Sequence, residues 1–202
     1  MSLRRRSYSI GAAALVLLVL LAPPVKHALE ATMTAQMLLL MPLLVVAGAL
    51  LRAALPPRIV RHSAAWDYRG VTGLVLASVA SAFWLLPRLL DSAGSQAAVD
   101  AARYVSLPLL IGLPFSVSWP RSSFIVRGVF LLECIATLFR MGWLYLIWPD
   151  RLCNSYLLDD QQRLGQYLVL IGLAACVVVG AKLLWGQFDA LADTPPRASA
   201  QH

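Results

Sequence analysis

The stretch MLLLMPLLVVAGALL, Met37 to Leu51, leaves a chain few options, and it is one of several such runs. A bilayer's hydrocarbon core is about 30 Å thick and needs about 20 apolar residues to cross it as a helix. Lipid offers no hydrogen bonds, so the backbone of such a run must satisfy itself, which a helix does within one segment. Charge completes the argument. Only 13% of the 202 residues are Asp, Glu, Lys or Arg, and 59% are hydrophobic, whereas a soluble domain carries about 25% charged residues. The expected fold class is an all-α integral membrane protein, a bundle of about six transmembrane helices.

The runs fall near Ser9–Val25, Thr32–Leu51, Gly70–Leu86, Tyr104–Trp119, Phe124–Trp148 and Leu164–Trp185. The first follows Arg4, Arg5 and Arg6, and no small-x-small cleavage pattern succeeds it, because Pro23, Pro24 and Lys26 come next. It reads as an uncleaved first helix rather than a signal peptide. Pro42 predicts a kink in the second run. Arg52, Arg58, Arg61 and Arg69 crowd the loop after it, Arg121 and Arg127 follow the fourth run, and Lys182 and Arg197 follow or end the last. The opposite loops hold fewer cations: Lys26, Arg88, Arg103, Arg151 and Arg163. Cytoplasmic loops are enriched in Lys and Arg, so both termini are expected in the cytoplasm. A single transmembrane domain over 1–186 and a polar, disordered cytoplasmic tail over 187–202 follow. Trp84, Trp143 and Trp148 would then form an outer aromatic belt. The net charge of +7 is absorbed by this topology, and nucleic acid is not expected as a partner. Membrane lipid is.

Met33, Met37 and Met41 recur every four residues, which stacks three thioethers on one helix face. Soft sulfur ligands suit Cu(I), and methionines equally serve as flexible core filler. His27 and Glu30 lie one turn earlier, where with Met33 they could form an outward-facing metal site; a histidine at a helix entrance is equally read as a solvated residue. Glu133 and Arg140 share a face of the fifth helix, seven residues apart. Ionisable residues inside a membrane are functional hypotheses by default; a snorkelling arginine and a helix-pinning glutamate are the structural alternative. Cys134 and Met141 lie on a neighbouring stripe. Three unpaired cysteines, Cys134, Cys153 and Cys176, argue against a disulfide framework. The chain holds no HExxH, nucleophile elbow or phosphate-cradling glycine loop, and no apolar run carries a histidine for haem. It is not expected to be an enzyme.

Three segments resemble one family, the CtaG-like cytochrome c oxidase assembly factors. TMTAQMLLLMPLL, Thr32 to Leu44, is similar to a His-Met-x-Gln-His-x-Leu-Leu pattern leading to Pro-Leu-Leu. FWLLPRLLDSA, Phe83 to Ala93, is similar to a Trp-His-x-Pro segment at the end of a span. LLDDQQRLGQ, Leu157 to Gln166, resembles the Asp-Gln-Gln-x-x-Gly before the last span, here Asp160, Gln161, Gln162 and Gly165. The family's histidines fall at Thr32, Gln36 and Leu85, so this chain departs from it at the natural copper ligands. The resemblance implies a role in copper supply or assembly of a haem–copper respiratory oxidase in a bacterial cytoplasmic membrane, with an oxidase subunit or another membrane protein as partner. Met33, Met37, Met41 and His27 would then be substitute ligands for transient Cu(I), or metal binding has been lost and scaffolding kept. Asp160, Gln161 and Gln162 are expected to cap the last helix, a structural role. The alternatives are a non-catalytic accessory subunit of a larger membrane complex and, last, a small transporter drawing on Glu133 and Arg140.

Overall fold

The computed structural model describes residues 3–56, 58–60, 67–148 and 156–184. The expected tail over 187–202, and Cys153, lie outside these residues. Among the described residues the regular structure is helical throughout, with no strand. The chain opens with α1 (Leu3–Leu21) and α2 (Pro23–Glu30). Next come α3 (Met33–Leu51), α4 (Val71–Trp84) and α5 (Pro87–Ser95). The last three are α6 (Ala97–Arg121), α7 (Phe124–Ile147) and α8 (Leu158–Leu184). Among the described residues three helices, α3, α6 and α8, are long and apolar enough to cross a membrane, or up to five spans if each of two bent pairs is one.

Both bends have the same cause. Proline sterically forces the residue before it out of helical geometry. Ala22 (ψ 125°) precedes Pro23, and Leu86 (ψ 124°) precedes Pro87. The α1 segment from Tyr8 therefore meets α2 at 71°, and the segment Tyr68–Trp84 meets α5 at 67°. Inside α3 and α6 proline acts differently. In a straight helix the ring of Pro42 would collide with the carbonyl four residues back. A single wide turn over Gln36–Leu40, closed by the Met41 N–H on the Gln36 carbonyl, precedes it. The same device, Leu107–Gly112 with the Leu113 N–H on the Pro108 carbonyl, precedes Pro114 in α6. Such wide turns widen the helix locally and are frequent at functional sites.

The two bulged helices lie against each other backbone to backbone. A Cβ on Gly48 would stand 2.1 Å from the Pro108 carbonyl oxygen, and one on Gly112 would stand 2.1 Å from that of Val45. Only glycine permits this approach. A second seam joins α7 to α8 through Gly142 and Gly165, where a Cβ on either would lie 3.0 Å from the other's carbonyl oxygen. This hairpin is peripheral: 22% of the apolar window of α8 is buried, against 39% in α3 and 44% in α6. The core gathers around α3, with Leu40, Leu44, Ala77, Trp84, Tyr145 and Leu164 among its buried members. Trp84 therefore departs from the expected outer belt. It is buried, and its Nε1–H donates to Ser106 Oγ at 2.8 Å. Trp143 and Trp148 are exposed, as a belt requires.

Candidate functional site

The three methionines lie inside the molecule, on α3. Met33, Met37 and Met41 are 1%, 7% and 8% exposed and belong to one core cluster. The Tyr145 hydroxyl lies 3.8 Å from Met37 Sδ and donates to it. His27 does not join them, because α2 turns its imidazole to the exterior. No group of three or more His, Cys, Asp or Glu among the described residues is placed to hold a metal ion. The thioethers are therefore the available soft donors at this place. They fit Cu(I) in donor type.

The start of α3 is held from the far end of the chain. The first backbone N–H groups of any helix lack intrahelical partners. Here Thr32 Oγ1 accepts from the Ala35 N–H at 3.1 Å. Asp160, in the first turn of α8, accepts from the Met33 N–H and from Thr34 Oγ1, the latter at 2.8 Å. Asp160 thus caps a neighbouring helix as well as placing negative charge at the start of its own, where the helix dipole favours it. Gln161 is buried and its Nε2 donates to the Tyr145 carbonyl at 3.4 Å. Gln162 is exposed, and Gly165 forms the α7–α8 seam. Through Asp160 the motif fixes α8 to the methionine-bearing end of α3.

Two positions where the resembled family has histidine have other work in this chain. Thr32 is the cap just described. Gln36 is 1% exposed, and its Oε1 meets the Tyr156 hydroxyl, which also lies 3.2 Å from the Glu30 carbonyl. The third, Leu85, ends α4 and packs against the core.

Beside the start of α3 stands a group of charges that the sequence reading passed over. Arg103 is 1% exposed, and its Nη2 donates to Glu30 Oε1 and to Asp100 Oδ1, each at 2.5 Å. Lys26 pairs with the other oxygen of Asp100. The Tyr104 ring lies beneath Lys26 and Arg103, at 5.3 and 5.5 Å from the cations. Burying ions costs several kcal/mol each unless they are paired and hydrogen-bonded; here two acids and two bases nearly cancel. Arg103 Nε and Nη1 are buried with no hydrogen-bond partner among the described residues. The signal was present in the sequence as Lys26 and Glu30 four apart on α2 and Asp100 and Arg103 three apart on α6. What could not be read was that α2 folds back onto α6.

A smaller polar junction involves the opposite ends of α3, α4 and α6. Asp67 accepts from Ser118 Oγ at 2.7 Å and from the Gly73 N–H at 3.2 Å, with Arg121 Nη1 at 3.9 Å. Gly70 turns the chain beside it with φ 76°, and a Cβ there would lie 2.5 Å from the Ser118 carbonyl oxygen. Arg52 donates to the Ser116 carbonyl at 2.5 Å.

Glu133 and Arg140 meet on the outside of α7. Arg140 Nη2 donates to Glu133 Oε1 at 2.5 Å and to Thr137 Oγ1 at 3.0 Å. They are 53% and 65% exposed. Cys134 is exposed too, while Met141 packs partly buried against the core. The structure does not bring the charged pair to the methionines. Comparison with protein-family models, with curated proteins and with solved structures finds no match to this chain.

Proposed function

We propose that this chain is an integral protein of a bacterial cytoplasmic membrane that assists, without catalysis, the assembly or copper supply of a haem–copper respiratory oxidase. The observation that carries the reading is a contact between segments of the resemblance more than a hundred residues apart. Asp160 of the Asp-Gln-Gln segment holds the start of the methionine-bearing helix at Met33 and Thr34. Trp84, from the second segment, lies in the same core cluster as the methionines.

Six spans with both termini in the cytoplasm fit the placement of charge. The bent pairs and the three long helices supply five. In this reading α7, 24 residues long and about 36 Å by its rise, is the sixth. Alternating directions then put Lys26, Glu30, Asp100, Arg103 and Asp160 at the outer end, where they cluster. Arg52, Asp67 and Arg121 fall at the inner end, in their own junction.

In this reading copper is cargo. Met33, Met37 and Met41 would hold Cu(I) through neutral thioethers, a soft ligand set without anionic donors that suits an ion meant to be passed on. His27, exposed on α2, would be a surface contact on the way in. The charged group around Arg103 sets the polar boundary above the methionines and holds α2 in place.

The test is to delete the gene in its host and measure the copper content of the haem–copper oxidase. Loss of copper with the oxidase polypeptide still present, rescued by added copper, is the expected result. Normal copper and normal oxidase activity would retire the assembly reading. A second reading, an accessory subunit of a larger membrane complex, is favoured by the exposed ion pair on α7; co-purification in fixed stoichiometry would mark it. The transporter reading loses its main support, because Glu133 and Arg140 face outward rather than along an interior path.

A further inference from the structure

Positive charge gathers at the end of the molecule opposite Arg103 and is not cancelled there. Arg52, Arg58, Arg69, Arg121 and Arg127 stand at or beside the helix ends of this side, with Asp67 as the acid among them. Asp67 is buried and engaged by Ser118, the Gly73 N–H and Arg121. Arg58 and Arg69 are exposed and have no acid partner among the described residues. Arg127 is half-buried at the point where α6 passes into α7. Its Nε–H donates to the Trp119 carbonyl and to Ser122 Oγ, each at 3.2 Å, and its Nη2 donates to the Pro120 carbonyl at 3.4 Å. These neutral acceptors hold the guanidinium without cancelling its charge, and Nη1 makes no hydrogen bond among the described residues. Arg69 stands by the same turn, because its neighbour Gly70 packs on Ser122: a Cβ on Gly70 would lie 2.8 Å from the Ser122 nitrogen. Next to these cations lies an aromatic wall. The Trp119 ring is 5.5 Å from the Arg127 guanidinium, and Phe115 and Phe130 lie 5.1 and 6.2 Å from Trp119. All three rings are half-buried. Tyr68, Phe124 and Ile125 nearby are 71%, 53% and 74% exposed.

We propose that this α6–α7 junction seats an anionic phospholipid, its phosphate against Arg127 and Arg69 and its acyl chains along Trp119, Phe115 and Phe130. Charge and shape select that occupant together. A planar guanidinium presents N–H donors that match two oxygens of a phosphate. A zwitterionic lipid brings its own ammonium to the same place and leaves the surplus of cations as it was, whereas an acidic headgroup cancels part of it. An acidic soluble protein would meet the arginines and leave the rings uncovered. Phe130 follows Arg127 by three residues on one helix face, so a single amphiphile meets the cation with its head and the ring with its chain. Basic sites between membrane helices bind acidic headgroups in this manner, and Trp and Tyr favour the same boundary. The cation excess that orients a chain acts through whole loops; here the excess is tied to one turn with an aromatic wall beside it, which makes it a site. This rests on α6 and α7 crossing the bilayer and is independent of the copper reading.

The experiment uses the full chain with Cys134, Cys153 and Cys176 replaced by serine and one new cysteine carrying a fluorophore. Gly128→Cys places the fluorophore beside Arg127, where a Cβ meets nothing within 4 Å. Gly180→Cys, equally open, places it toward the corresponding end of α8, with Lys182 the cation two residues on. The liposomes are phosphatidylcholine carrying nitroxide-labelled phosphatidylglycerol or nitroxide-labelled phosphatidylcholine, and quenching reads which lipid sits at the probe. Phosphatidylglycerol is expected to be preferred at least fivefold at Gly128→Cys and less than twofold at Gly180→Cys. Arg127→Gln should bring the first preference below twofold. Arg69→Asn removes a charge and suits the left-handed backbone there, φ 51°. It should at least halve the preference with helical content unchanged, and it keeps the test decisive should Arg127→Gln fail to fold. Equal quenching by the two lipids at Gly128→Cys would overturn the lipid site and leave the arginines to an acidic protein. A preference of the same size at Gly180→Cys would reduce it to a general attraction of the surface, and a preference that survives both substitutions would also overturn it. No quenching by either lipid would place α7 outside the bilayer and overturn the site through its premise.

Discussion

Arg103 shows how much a single buried side chain asks of its surroundings. Its guanidinium is enclosed, and its two acidic partners come from different helices, Glu30 on α2 and Asp100 on α6. Removing one member of a buried ion pair strands the other in low dielectric, at a cost of about 3–5 kcal/mol. Arg103→Leu is therefore expected to lower the thermal unfolding temperature in detergent sharply. A further Glu30→Gln with Asp100→Asn should recover part of the loss, because it removes the stranded charges. No recovery would mean that packing rather than charge is what Arg103 supplies. Asp160 makes a gentler case. Asp160→Ala leaves the Met33 N–H without its acceptor, and loss of a cap costs about 1 kcal/mol. Hydrogen exchange at Met33 should rise while exchange in the middle of α8 stays unchanged. Neither role was legible from local sequence. Glu30 lies 73 residues from Arg103 and Met33 lies 127 from Asp160, and nothing in the neighbouring sequence names these distant partners.

Among the elements, the places where helices touch most closely are set by glycine. On α7 and α8 the meeting of Gly142 and Gly165 leaves no room for a side chain, with Leu146 Cγ also 2.9 Å from a Cβ placed on Gly165. Overpacking a well-filled site costs about 1–3 kcal/mol. Gly165→Leu is thus expected to separate the hairpin and lower stability in detergent by that order, whereas Gly180→Leu, with open space around its Cβ position, should be silent. Equal effects would remove the seam from the account. Helix position and extent were largely legible, because prolines and long apolar runs mark them. The wide turns in α3 and α6 were not. Their common signal, visible once seen, is a leucine-rich stretch ending two residues before a proline, MLLLMP and LPLLIGLP. A proline kink was expected in α3; the observed wide turn accommodates the ring while the helix continues.

For the whole molecule, the question is whether packing makes one site of three methionines. Four-residue spacing puts them on one face, and the tertiary structure encloses all three against Tyr145 and Leu164. If they form the cargo site, Cu(I) titration of the purified protein should show weakened binding, at least tenfold, in the chain carrying Met33→Leu and Met37→Leu. Leucine keeps the volume and apolar character, so the fold should persist. Unchanged affinity would assign the methionines to the core alone, and the scaffolding form of the proposal would stand without copper.

Composition and periodicity determined that this chain is helical, with several segments suited to lipid, because a backbone in hydrocarbon has almost no other way to satisfy its hydrogen bonds. The asymmetry of Lys and Arg supplied an expected orientation on the same footing. Partnership was decided only in three dimensions. An X-Pro bend turns the short amphipathic helix α2 away from α1, and that turn lets Lys26 and Glu30 meet Asp100 and Arg103. Glu133 and Arg140 stand two turns apart on one helix. The lean of helical side chains brought them together, and the packing of α7 on α8 left them facing outward. Electrostatic pairing depends on distances of a few ångströms, and those are properties of the folded arrangement rather than of the order of residues.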